Sequence, residues 1–307
     1  MTKVLIATQK PFAPAARERT ENVLKEAGYE VKLLESYADR SELLAAAADV
    51  EAMIVRSDKI TDEVMAAAPN LKLVVRAGAG YDNVDCAAAR ERGIVVMNTP
   101  GQNSNAVAEL AIGMMIMAAR GKYDGKPGRE LKGKTLGLHA FGNVARRVAE
   151  IAIKGFGMEA IAFDPFIPSE AIKESGVNPV DSLEELYRRS DFLSLHIPAT
   201  EETKGSINYD LMKLMKEGAV LVNTARAEII DEEGLLEIYQ ERPDFKYVAD
   251  IAPGNKDKIL VCDGNRCFFT PKKMGAQTAE ANVNAGVAAA NQIVAFFEEG
   301  DTTFQVN

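Results

Sequence analysis

Two adjacent lysines, Lys272 and Lys273, sit in the stretch "CFFTPKKMGAQTAEAN". A short apolar and aromatic run ends at Pro271, and "TAEANVNAGVAAANQIVAFFEE" then carries apolar residues at helical spacing. The pattern places both amines at the carboxyl end of a strand, the edge at which an open α/β sheet binds its ligands. Ammonium groups there can grip a small anion.

A second group of residues has the spacing of a nucleotide site. After "TLGLH" a dinucleotide fingerprint would read GxGxxG, and this chain reads Ala140, Phe141, Gly142, Asn143, Val144, Ala145. Gly142 keeps the place at which backbone must approach a pyrophosphate. A helix starting at Asn143 would add amide donors and the positive end of its dipole. Ala145 is an accepted variant for helix packing, whereas Ala140 departs from the pattern at the first tight turn. Asp164 closes "EAIAFD" about 20 residues on, where a carboxylate takes the ribose hydroxyls. Pro165 follows it with no cation, so NAD is expected in preference to NADP.

Positioning these residues takes alternating strands and helices. The chain runs through "KVLIAT", a helix to Ala27, "YEVKLLE", a helix over "SELLAAAA", "EAMIVRS", a helix over "TDEVMAAA", "LKLVVRAG" and "GIVVMN". That alternation means a parallel sheet with crossover helices. A long apolar helix, "NAVAELAIGMMIMAAR", follows, and a second series of six strands runs from "TLGLHAF" to "CFFTP", as a doubly wound dinucleotide fold requires. The shift near residues 98–103 marks a domain boundary. Residues 1–100 and 280–307 are expected in one domain and 101–279 in the dinucleotide-binding one, with the last helix crossing back to the first.

Composition excludes several classes. With 307 residues, 47% hydrophobic and 26% charged, the chain can bury the core of one large or two medium domains. A net charge of -9 argues against nucleic acid as a partner. The longest apolar stretch, "LAIGMMIMAA", falls short of the ~18 residues of a membrane span, and the amino terminus lacks a signal-peptide pattern, so no membrane partner and a cytoplasmic location are expected. Three cysteines without CxxC spacing and two histidines give no metal site.

Six blocks, taken in order, resemble the D-isomer-specific 2-hydroxyacid dehydrogenases: "RAGAGYDNVD", "NSNAVAEL", "LKGKTLGLHAFGNV", "SLHIPATEETKGSIN", "MKEGAVLVNTARAEIIDEEGL" and "TPKKMGAQTAEAN". Within the family, "VRS" at 55–57, "GAGYDNVD" and "GAQTAEA" are most similar to the phosphoglycerate dehydrogenases, in the short form without a regulatory domain. The resemblance implies an α/β fold of two doubly wound parallel-sheet domains, a flavodoxin-like substrate domain and a Rossmann dinucleotide-binding domain, with an active-site cleft between them. It implies NAD as cofactor, a homodimer, and a phosphorylated 2-hydroxy acid as substrate: D-3-phosphoglycerate, oxidised in the first step of serine biosynthesis.

The same resemblance assigns residues. Arg226 would bind the carboxylate and keto oxygen, a task for which a planar guanidinium forks onto two oxygens. Gly78, Ala79 and Gly80 would offer backbone amides to the carboxylate. Arg56, Ser57 and Asn103 would face the distal end of the substrate, where an arginine suits a phosphate. For the cofactor it implies Phe141, Gly142, Asn143, Val144, Asp164, Pro165, His196, Pro198, Thr203, Thr224, Ala225 and Asp250, the last beside the nicotinamide carboxamide.

One departure bears on the chemistry. The family carries a His in "TPH" paired with a Glu, and this chain reads "TPKK" and "DIAPGNKDK", so the Glu position falls on or near Asn255 and the His is gone. Counting forward from Pro271 puts Lys272 in the His position, and counting back along "KMGAQT" puts Lys273 there, the longer block favouring Lys273. A lysine can give a proton to a keto oxygen and take it back during oxidation. Loss of the Glu is coherent, since a carboxylate alongside would raise a lysine pKa that is already ~10.4 in water. His139 lies in the first Rossmann strand and His196 at a cofactor-side strand end, so neither replaces it. A catalytically silent NAD-binding corepressor and a glyoxylate or hydroxypyruvate reductase are the competing readings.

Overall fold

The computed structural model describes all residues, Met1–Asn307, and divides into two compact units. Unit 1 is Met1–Asn103 with Gln277–Asn307, and unit 2 is Ser104–Ala276, so each break falls a few residues from the position expected from sequence.

Unit 1 is built from β1 (Lys3–Thr8), α1 (Pro14–Glu26), β2 (Glu30–Glu35), α2 (Arg40–Ala47), β3 (Ala52–Val55), α3 (Asp62–Ala66), β4 (Leu73–Arg76), α4 (Cys86–Glu91) and β5 (Val95–Asn98). Its five strands are parallel in the order β2-β1-β3-β4-β5, the flavodoxin-like arrangement. Alternate residues of each strand feed opposite faces: Leu5, Ala7, Met53 and Val55 enter one core, and Val4, Ile6, Ala52 and Ile54 the other. Burial on both faces is why these strands read as nearly continuous apolar runs.

Unit 2 follows with α5 (Ser104–Ala119), β6 (Thr135–His139), α6 (Asn143–Phe156), β7 (Glu159–Phe163), α7 (Ser169–Lys173), β8 (Asn178–Pro179), α8 (Leu183–Arg189), β9 (Phe192–Leu195), α9 (Tyr209–Lys213), β10 (Val220–Asn223), α10 (Glu232–Glu241), β11 (Lys246–Ala249), α11 (Lys256–Asp263) and β12 (Cys267–Phe269). The sheet has seven strands rather than six, because the two-residue β8 pairs with β7. "KDKILVCD", to which the sequence reading assigns no element, is the helix α11. The order β12-β11-β10-β9-β6-β7-β8 reverses between β6 and β9, the Rossmann switch point. All pairings are parallel, so the residues following β6, β7, β9, β10, β11 and β12 lie along one edge. That edge receives Gly142, Asp164, His196, Arg226, Asp250 and the two lysines.

The final helix, α12 (Ala279–Glu299), belongs to unit 1, where Ala285, Ala289, Ala290 and Ile293 join the core of Val4, Ile6 and Ile54. Gly286 lets it approach α1 closely, since a Cβ there would collide with the Thr20 hydroxyl.

Candidate active site

In unit 1 the candidate residues converge at the ends of β3 and β4. Arg56 is held by its side chain, whose Nη1 donates to the carbonyls of Lys10 (3.0 Å) and Pro11 (2.9 Å) while the guanidinium lies 5.0 Å over the Phe12 ring. Burial pulls its pKa down from the usual arginine value, and the charge of Asp58 works against that shift. Its backbone carbonyl accepts Nε of Arg76 at 2.9 Å. Sequence reasoning missed Arg76, although it closes a strand within the quoted "RAGAGYDNVD" block, one strand over from Arg56. The Gly78 loop adopts φ 149° and runs against that guanidinium, so a Cβ at Gly78 would overlap it. The Gly78 amide donates to the Arg76 carbonyl within this turn (2.8 Å). The loop is pinned by Asn98 Nδ2 on the Ala79 carbonyl (2.6 Å) and by the Thr99 amide on the Gly78 carbonyl (3.0 Å). Ser57 is exposed and Asn103 half-buried, and neither side chain is tied by hydrogen bonds to this network.

In unit 2 the turn after β6 keeps the shape of the fingerprint despite its alanine. Ala140 takes φ 73°, the left-handed conformation for which the first glycine is normally used. Helix α6 starts at Gly142 with no side-chain cap, whereas α8, α9 and α10 are capped by Ser182, Asn208 and Asp231. A Cβ on Gly142 would meet nothing within 4 Å. Open space before a run of uncapped amides fits a pyrophosphate. Asp164 accepts the amides of Phe141 (2.8 Å), Phe166 (2.8 Å) and Ile167 (3.2 Å), which fixes the carboxylate at the strand end beside exposed Pro165. Two buried polar atoms on this edge have no partner within the chain: Nε2 of His196 and Oγ1 of Thr224. Unsatisfied buried donors and acceptors are costly, and a bound dinucleotide fits the need. Pro198 and Thr203 form one loop, the hydroxyl donating to the Pro198 carbonyl at 2.6 Å.

The histidines are neutral near pH 7. Burial pushes His139 down to about 4 and His196 to about 3, the latter also by proximity to His139. Their backbones are joined by the His196 amide on the His139 carbonyl (3.0 Å), and His139 Nδ1 meets the Tyr187 hydroxyl at 3.2 Å.

The lysines separate. Lys273 Nζ lies 3.3 Å from the Ala225 carbonyl oxygen, which also accepts Arg226 Nη1 at 3.1 Å, so the two cations share one acceptor. Buried Asn223 shapes this turn by accepting the Ala225 amide (3.0 Å) and donating to the Arg226 carbonyl (2.8 Å). Lys272 instead lines a cavity of about 530 Å³ beside edge strand β12 and α11, with Lys122, Lys256, Leu260 and Phe268. Asp250 carries a role that its expected place beside the carboxamide did not suggest. Its carboxylate accepts the Thr270 hydroxyl (2.8 Å) and the amides of Met274 and Gly275 (2.7 Å each), clamping the loop that bears both lysines. Ile251, next to it, holds the strained φ of 132°. Asn255, at or near the expected Glu position, donates to the Glu232 carbonyl.

Comparisons with known proteins agree with this geometry. The family model for the D-isomer specific 2-hydroxyacid dehydrogenase NAD binding domain matches residues 106–271. Hydroxypyruvate reductase of Thermotoga maritima is 38% identical over 91% of this chain and 95% of its own length. D-3-phosphoglycerate dehydrogenase of Methanocaldococcus jannaschii is 40% identical over 83% of this chain, which spans about half, 51%, of that relative. The crystal structure of an NAD+-bound 3-phosphoglycerate dehydrogenase from Entamoeba histolytica superposes with a TM-score of 0.90 at 47% identity, covering 100% of this chain and 98% of the other. With its uncapped α6, its anchored Asp164 and the arginine after β10, the chain belongs to the D-isomer-specific 2-hydroxyacid dehydrogenases and is an NAD-dependent enzyme of that family.

Proposed function

We propose that the chain oxidises D-3-phosphoglycerate to 3-phosphohydroxypyruvate on the route to serine, with Lys273 in the place of the family's histidine. The observation that carries the lysine assignment is the shared Ala225 carbonyl, which sets Lys273 Nζ beside the Arg226 guanidinium. Bound NAD supplies the hydride acceptor. Arg226 holds the carboxylate and the oxygen at the reacting carbon, and the neutral amine of Lys273 takes the hydroxyl proton. In unit 1 the amides of Ala79 and Gly80 receive carboxylate oxygens, while Arg56 and Arg76 supply charge for the phosphate. A homodimer, carried by the resemblance alone, and the cytoplasmic location expected from the sequence pattern complete the proposal.

The Thermotoga relative favours a second reading, hydroxypyruvate reduction, in which the phosphate is dispensable. Initial rates with NAD on D-3-phosphoglycerate and D-glycerate separate the two. The proposal expects kcat/KM at least ~10²-fold higher for the phosphorylated acid, about what a charge-assisted pair contributes. Equal values would replace it with the reductase reading.

A further inference from the structure

We infer that Asp58 is a positioning residue that gives the anion site its preference for a phosphorylated substrate, an inference that rests on the proposed function. Asp58 is 2% exposed, and its carboxylate joins three segments of unit 1. Oδ1 accepts the Gln9 amide (2.7 Å), from the loop after β1, and the Tyr37 hydroxyl (2.7 Å), from the connection after β2. Oδ2 accepts the Arg56 amide (3.3 Å) at the end of β3.

Those contacts bear on the arginines directly. The loop anchored through Gln9 is the one whose Lys10 and Pro11 carbonyls hold Arg56 Nη1, so Asp58 fixes both the backbone from which the guanidinium springs and the acceptors that orient it. Nε and Nη2 remain as donors for a ligand oxygen. Asn83 Nδ2 ties the Asp58 carbonyl (2.7 Å) to the Arg56 carbonyl (3.4 Å), on which Arg76 Nε also rests. Both guanidiniums are thus registered on the Arg56–Asp58 backbone. Holding a rotamer-rich side chain before binding reduces the entropy lost on binding. A carboxylate suits this junction because it accepts from three donors and brings none, whereas an amide would turn an NH2 toward one of them. A tetrahedral dianion draws on the fixed geometry; an uncharged hydroxymethyl group does not.

The test is steady-state kinetics of wild type, Asp58→Asn and Tyr37→Phe with D-3-phosphoglycerate and D-glycerate. Asp58→Asn should raise KM for the phosphorylated acid ~10-fold or more, leave its kcat within ~3-fold, and leave D-glycerate and NAD parameters within ~3-fold. Tyr37→Phe should shift KM the same way by less. A merely structural Asp58 would lower kcat for both acids together or change neither, and either result overturns the inference. If Asp58→Asn does not fold, an unchanged preference in Tyr37→Phe overturns it. A wild type without preference for the phosphorylated acid instead overturns the proposed substrate, and this inference with it.

Discussion

Lys272 and Lys273 are one position apart, yet the backbone turn after β12 sends them to different places. The sequence singles out this pair as candidate acid/base groups through "TPKK", but nothing local to it says which amine meets Ala225. Arg76 and Asp58 escaped for a related reason: their importance lies in hydrogen bonds across strands, and no motif spacing encodes those. Ala140 shows the opposite case, a residue that looks like a departure and behaves like a glycine. Its φ of 73° costs an alanine roughly 1 kcal/mol, which Gly would relieve while giving back about 0.4–1 kcal/mol of unfolded-chain entropy. Ala140→Gly should therefore leave the melting temperature unchanged or slightly raised. Ala145→Gly, inside α6, should lower stability by about 1 kcal/mol. Thermal unfolding of both variants checks the contrast, and equal destabilisation would contradict the strain at Ala140.

Strands and helices were legible where burial is two-sided or the apolar stripe is long, as in β1, β10 and α5. They were illegible where neither signal exists. α4 is six residues, half of them alanine, β8 is two residues, and α11 has apolar and charged residues without a clear stripe. The packed ends of β6 and β9 bring His139 and His196 together, and this has a consequence for stability. Both pKa values lie below the unfolded value of ~6.5, at about 4 and about 3, so the unfolded chain binds more protons in acid. Their contribution is complete above pH ~6.5 and is lost as pH falls through about 4 for His139 and about 3 for His196. Denaturant unfolding should show stability dropping by a few kcal/mol over that window, since each tenfold difference in proton affinity between the folded and unfolded chain is worth about 1.4 kcal/mol. A His139→Asn, His196→Asn double variant should show a shallower drop, and an equally steep one would contradict the burial of two neutral imidazoles as its cause.

At the scale of the molecule, two parallel sheets of five and seven strands each gather candidate residues at their strand ends. The strand–helix alternation restarts after α5, which is what made a division legible in the sequence, and the chain divides after Asn103 and before Gln277, within a few residues of the boundaries expected there. The proposed chemistry turns on one amine, and the most direct measurement is the NAD-linked oxidation rate of Lys273→Met and Lys272→Met across pH, alongside NAD binding. Oxidation by wild type should climb with pH as the ammonium loses its proton. Lys273→Met should lose ~10²–10⁴-fold in kcat and that pH dependence while still binding NAD, and Lys272→Met should keep turnover within a few-fold. Near-native turnover and an unchanged pH profile in Lys273→Met would contradict proton transfer by Lys273.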